Sequence, residues 1–208
     1  MTSRSPGRAA AAVLSGTTLL AALAGCTQPE AELQPRVAVD TPELRTLKEQ
    51  AGIAACPEES GGAGQVGTEL PDVVLPCLGG GPEVALRSIT GPAVVNLWAQ
   101  WCGPCGEELP LFQRLHRRAG ERVQVLGIDW QDTQPGRALE LARVSGVTYP
   151  LAADPAALVT DAWRVNGLPI TVFVAADGRT TVHRGQIANY PELLHLVAEN
   201  TGVRLAAG

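Results

Sequence analysis

The order of apolar runs along this 208-residue chain predicts an α/β sandwich, a mixed central β-sheet with helices on both faces. Three observations carry that expectation. Pro92–Trp98 (PAVVNLW) and Arg122–Trp130 (RVQVLGIDW) are short, nearly continuous apolar runs of the kind that form strands buried on both sides. A helical pattern lies between them, as in a parallel βαβ unit, and a second follows. Ile170–Gly185 (ITVFVAADGRTTVHRG) then reads as an antiparallel hairpin turning at Asp177 and Gly178. With 45% hydrophobic and 18% charged residues the chain can bury a core, and a length of 208 residues suits one domain with appendages.

From the N-terminus, Arg4 and Arg8 precede a largely apolar run and small residues ending at Cys26, the grammar of an export signal. We assign residues 1–25 to that signal and 26–66 to a tether with a short helical segment, capped near Thr41 with Pro42 in its first turn, before a glycine-rich loop. The folded domain is placed at 67–208. It opens with an edge hairpin in VVLPCLGGGPEVAL and continues through the first buried strand. A helix is expected over Gly103–Arg118, with Leu109, Phe112 and Leu115 on its apolar face. After the second strand come a helix over Pro135–Gly146, another over Ala156–Trp163, the late hairpin, and a closing helix over Pro191–Asn200. No internal repeat or low-complexity run is evident.

Net charge is −5 and Lys48 is the only lysine among sixteen basic residues, so no polybasic footprint points to nucleic acid. Setting Cys26 aside leaves Cys56, Cys77, Cys102 and Cys105, which permit three pairings. In an exported chain disulfides persist. The two-residue spacing of Cys102 and Cys105 favours their pairing and leaves Cys56 to bridge Cys77 as a structural clip.

The stretch NLWAQWCGPCGEELP, Asn96–Pro110, holds the chemistry. A strand, a tight turn and a helix beginning at the first cysteine put the Cys102 sulfur among unpaired helix amides, where an anion is favoured. In CxxC motifs a thiol pKa falls from ~8.5 to between ~3.5 and ~7.5. Cys102 is therefore the expected nucleophile and the more buried Cys105 the resolving thiol, with Pro104 limiting the geometries between them. Zinc would need a second ligand pair, yet His116, His183 and His195 are far apart in sequence; no metal is expected. A disulfide across two residues adds little by chain entropy, so reactivity explains it better than stability.

WAQWCGPC is similar to the thioredoxin active-site stretch, and WCGPCGEELP, together with the lipobox-like LAGC at Leu23–Cys26, resembles the TlpA/ResA/CcmG-like extracytoplasmic thiol-disulfide oxidoreductases. The resemblance spans roughly Leu70 to Val203 and implies a thioredoxin-like three-layer sandwich. It also implies lipidation of Cys26, a cis-proline at Pro169, and backbone groups at Leu168 that take a substrate as an added strand. Trp101, Gly103 and Pro104 would complete that binding face, with Trp98 packed beneath. Asn96 stands where thioredoxins carry a buried aspartate and cannot ionise, so Glu108 is the candidate base for Cys105, while Glu107 is expected to face solvent. Trp130 and Trp163 are given no role.

The function implied is a membrane-tethered oxidoreductase acting on exported protein thiols or disulfides, apocytochrome c among them. Beyond the Cys102–Cys105 disulfide it needs no cofactor. A membrane thiol carrier of the CcdA or DsbD type would supply electrons for reduction. Without such a donor the same pair would oxidise folding proteins, as in DsbE-like secreted relatives. A peroxiredoxin-type peroxidase would carry a PxxxTxxC setting that NLWAQWC lacks.

Overall fold

The computed structural model describes residues 37–57 and 68–206. The export signal, Cys26, and tether residues 27–36 and 58–66 lie outside the described residues. The first described helix, α1 (Pro42–Ala51), starts where Thr41 Oγ1 accepts the Leu44 amide at 3.3 Å, and it ends at Gly52 in the left-handed region. An antiparallel hairpin of β1 (Val74–Leu75) and β2 (Val84–Ala85) follows.

The central sheet contains β3 (Ala93–Trp98), β4 (Gln124–Trp130), β5 (Leu151–Asp154), β6 (Ile170–Val174) and β7 (Thr180–Arg184), in spatial order β5-β4-β3-β6-β7. β3, β4 and β5 run parallel; β6 pairs antiparallel with both β3 and β7. The first two strands and the late hairpin thus take the predicted arrangement. Helices α2 (Gly103–Ala119), α3 (Pro135–Val144) and α5 (Tyr190–Thr201) cover one face, where Val94 and Trp98 of β3 meet Leu109, Phe112 and Leu115 of α2. Val95 and Leu97 point the other way, as strand alternation requires, and pack beneath the β1–β2 hairpin and the one-turn helix α4 (Thr160–Trp163). Burial of each such Leu or Phe contributes about 1.5–3 kcal/mol. Helix α1 packs on α3.

Two elements differ from expectation. β5 was not anticipated, because LAAD is only four residues long and shows no alternation, being buried throughout. The helix expected over Ala156–Trp163 is reduced to Thr160–Trp163. The Asp154 carboxylate accepts the amides of Leu158 at 2.8 Å and Val159 at 3.1 Å, so its side chain satisfies backbone donors in a turn. The closing helix begins one residue early, where Asn189 Oδ1 accepts the Glu192 amide at 3.0 Å and the Glu192 carboxylate accepts Ala188 N–H at 2.9 Å, a reciprocal cap.

Gly127 of β4 shows how closely the sheet fits the layer above it. A Cβ there would stand 2.5 Å from Leu151 Cδ2 and 3.0 Å from Trp98 Nε1, so the absence of a side chain lets Leu151 and Trp98 pack directly against the strand. Among the described residues no helix is long and apolar enough to cross a membrane.

Candidate active site

The parallel strands β3 and β4 bring their C-terminal ends to one edge of the sheet, where ligands of open α/β sheets commonly bind. Leaving β3, the chain turns through Ala99–Trp101, with the Cys102 amide donating to Ala99 O at 3.1 Å. This turn is pinned from β4's side: Asp132 accepts Gln100 N–H at 2.9 Å on one oxygen and Gln134 N–H at 2.7 Å on the other. Cys102 is the N-cap of α2 and is bonded to Cys105, with a Cα–Cα distance of 5.3 Å. The backbone amide of Cys105 donates to Cys102 Sγ at 3.3 Å. No acidic side chain lies in the helix's first turn to compete with an anion there. Cys102 is 6% exposed and Cys105 1%, while Gly103 and Pro104 between them are exposed.

One turn beyond Cys105, Glu108 is 2% exposed and accepts the Ile187 amide from the loop before α5. Burial raises its pKa from 4.5 to about 7; the Ile187 hydrogen bond opposes this and the charge of Glu192 adds to it. Glu108 therefore lies where a proton can be held or released near neutrality. Glu107 points outward and accepts Gln186 Nε2 at 2.6 Å. On the same inner face of α2, Asn96 and Tyr149 are buried, and among the described residues neither Asn96 Oδ1 nor the Tyr149 hydroxyl has a hydrogen-bond partner. Burial holds the Tyr149 phenol protonated, outweighing the neighbouring Asn96 amide, and the Glu108 charge reinforces it.

A second acid was not anticipated from the sequence. Asp129 pairs with Trp98 across β3 and β4 and is 2% exposed. Burial foremost, then the neighbouring Asp132, pushes its carboxyl well above the usual range. The signal was present as an aspartate inside an otherwise apolar strand, GIDW.

Trp98 is fully buried in the same cluster as Cys102 and Cys105. Trp101 is 51% exposed, its indole N–H donates to Gln131 O at 3.3 Å, and its ring centroid is 6.5 Å from that of Trp130. The two rings line an open cleft of about 710 Å³ with Gln131, Thr160, Asp161 and Asn166. Trp130, assigned no role from the sequence, is thereby part of a wall next to the disulfide-bearing turn. Gln131 and Ala157, also in this lining, hold left-handed backbone at φ 51° and 57°, a conformation that side chains other than glycine rarely adopt outside constrained sites. Leu168–Pro169 is a cis peptide, and Leu168 packs against the cluster that holds both active-site cysteines. Leu168 lies beyond Leu97–Ile170, the last pair of the β3–β6 ladder. Far from α2 in sequence, Cys56 and Cys77 form the other disulfide, Cα–Cα 5.9 Å, both 2% exposed. Among the described residues no group of three or more His, Cys, Asp or Glu is placed to hold a metal ion.

Comparison with known proteins agrees with this geometry. The family model for the AhpC/TSA family matches residues 66–183. A thiol:disulfide interchange protein DsbE homolog of Paracoccus denitrificans is 32% identical over 121 residues, 57% of this chain and 65% of that protein. The thiol-disulfide oxidoreductase ResA of Geobacillus kaustophilus is 30% identical over 118 residues, 54% of this chain and 65% of its own. The chain thus spans under two thirds of the length of these curated relatives. Among solved structures, that of MTB dsbF in its mixed oxidized and reduced forms superposes with a TM-score of 0.58 at 27% identity, covering 64% of this chain and 97% of that one. With more than half of its length matched by the family model and its sheet superposed on such a neighbour, the chain belongs to the AhpC/TSA family, in the thioredoxin fold.

Proposed function

We propose that this chain is an extracytoplasmic protein thiol-disulfide oxidoreductase, held at the bacterial cell membrane by a lipid on Cys26, that reduces disulfides in exported proteins. The observation that carries the reading is the Cys105 amide directed at Cys102 Sγ, 3.3 Å away, at the start of a 17-residue helix. An amide and a helix N-terminus lower the energy of a thiolate more than that of a thiol. In the reduced chain the Cys102 thiolate attacks a partner disulfide, forms a mixed disulfide and expels one partner sulfur as thiolate. Cys105 then gives its proton to Glu108 and attacks Cys102 Sγ, which releases the second partner sulfur and leaves the Cys102–Cys105 bond. Two electrons pass to the partner in each cycle.

Trp101, Gly103, Pro104, Leu168 and Pro169 form the face on which the partner's chain lies, and the Cys56–Cys77 clip plays no part in the cycle. Apocytochrome c cysteines are a fitting substrate, and a membrane dithiol carrier of the CcdA or DsbD type would return the pair to its dithiol form. The relatives named DsbE and ResA support this class of activity. The test is insulin reduction by the purified chain: turnover with dithiol and without peroxide is expected, lost in Cys102→Ser. Survival of activity in that variant would defeat the proposal. Acid trapping and alkylation in cells tests the direction, since a reductase is found mostly as the dithiol.

A further inference from the structure

The other disulfide has polar partners that a mere clip does not need. Lys48, the only lysine in the chain, is 6% exposed and directs its ammonium at Cys77 Sγ, 3.0 Å away, and at Gly80 O, 2.7 Å away. Among the described residues no carboxylate reaches ion-pair distance of it; Asp40, whose charge acts on it from further off, is engaged by Arg45 at 2.6 and 2.9 Å. Gly79, Gly80 and Gly81 all hold left-handed backbone around the amine, and a Cβ at Gly79 would stand 2.9 Å from Lys48 Cβ. On the other sulfur, Cys56 Sγ lies 3.3 Å from the Leu151 carbonyl oxygen, which accepts the Leu78 amide at 2.8 Å and has a second lone pair for a Cys56 thiol. One sulfur therefore faces a cation and the other faces an acceptor.

We propose that Cys56–Cys77 is a second redox site, one whose reduced form is prearranged as a Cys77 thiolate paired with the Lys48 ammonium and a Cys56 thiol donating to Leu151 O. Among the described residues the buried ammonium of the oxidised chain has one strong acceptor, Gly80 O, which is a costly state for a charge removed from water. Reduction supplies the missing anion. A dithiol reductant attacks Cys56 Sγ and expels Cys77 as thiolate onto Lys48. The reductant's second thiol then displaces Cys56, which takes up one of the reductant's two protons and becomes a thiol. The balance is a dithiol plus this disulfide giving the oxidised reductant, one thiol, one thiolate and one released proton. Opening the bond removes the covalent link between the segment that carries α1 and the loop of the β1–β2 hairpin, and leaves the Lys48 contacts to Cys77 and Gly80 in its place. The partner class is a protein or small-molecule dithiol, and the site works independently of Cys102 and Cys105.

The test uses the full chain carrying Cys26→Ser, Cys102→Ser and Cys105→Ser, so that of its five cysteines only this pair reports. Equilibrated in dithiothreitol redox buffers at pH 7 and alkylated, the Lys48→Met variant is expected to show an equilibrium constant for reduction at least tenfold lower, about 30 mV more negative, with Lys48→Arg retaining most of the parent value. An unchanged ratio in Lys48→Met would overturn the proposal. Thiolate absorbance of the reduced parent gives a reading that needs no substitution at Lys48. One sulfur ionising well below the usual ~8.5 and the other above it is expected; two ordinary thiols would overturn the proposal equally.

Discussion

Replacing Glu108 with glutamine separates the price of its burial from every other feature of the site. The side chain is 2% exposed with its pKa raised from 4.5 to about 7, chiefly by desolvation. One pKa unit is 1.36 kcal/mol, so the rise corresponds to about 3 kcal/mol. Because the folded value lies above the unfolded one, the favourable contribution is fully present below pH 4.5 and is lost as pH rises through about 7. Wild-type chain should thus lose up to about 3 kcal/mol between pH 4.5 and 8 from this group alone. Glu108→Gln keeps an oxygen for the Ile187 amide but cannot ionise, so that component should vanish. For a domain of this size the difference at pH 8 is about 6–12 °C in Tm in favour of the variant. Urea or thermal unfolding of the oxidised proteins at pH 5 and pH 8 measures it, the difference between the two chains cancelling Asp129 and other shared groups. Parallel pH profiles for wild type and variant would refute the assignment of a raised pKa to this carboxyl.

Other outcomes follow from the same geometry. Cys105→Ser should accumulate a mixed disulfide through Cys102 that non-reducing electrophoresis detects, since the resolving sulfur is gone. Asp132→Ala removes the acceptor of both Gln100 and Gln134 amides; at about 1–3 kcal/mol for each unsatisfied donor, chemical denaturation should register a loss of about 2–6 kcal/mol. Gly127→Ala brings a Cβ to 2.5 Å from Leu151 and 3.0 Å from Trp98, and the resulting overpacking should cost about 1–3 kcal/mol, read from the denaturation midpoint. Cys26→Ser should move the chain from the membrane fraction to the soluble one on cell fractionation.

Much of the sheet was legible because its strands are buried on both faces or turn at a strong signal: PAVVNLW and RVQVLGIDW are continuous apolar runs, and Asp177–Gly178 closes the late hairpin. β5 escaped because four residues with two alanines carry no period, and the turn after it escaped because a side chain, Asp154, replaces the helical acceptors. At the site, the place of Cys102 on a helix start could be read from WCGPC before an apolar helix pattern. The burial of Glu108 was only partly legible, since its partner Ile187 lies seventy-nine residues away on the loop before α5. Asp129, Tyr149 and Trp130 were missed for the same reason: each gains its meaning from a neighbour across the sheet or helix layer, and periodicity reports which face a residue takes but not what it meets there.

The central claim is that helix amides hold the Cys102 sulfur as an anion. The most direct measurement is the pH titration of thiolate absorbance in the reduced chain, with Cys102→Ser as the blank. A Cys102 pKa between ~3.5 and ~7.5 is predicted, and a value at or above ~8.5, that of a free thiol, would contradict it.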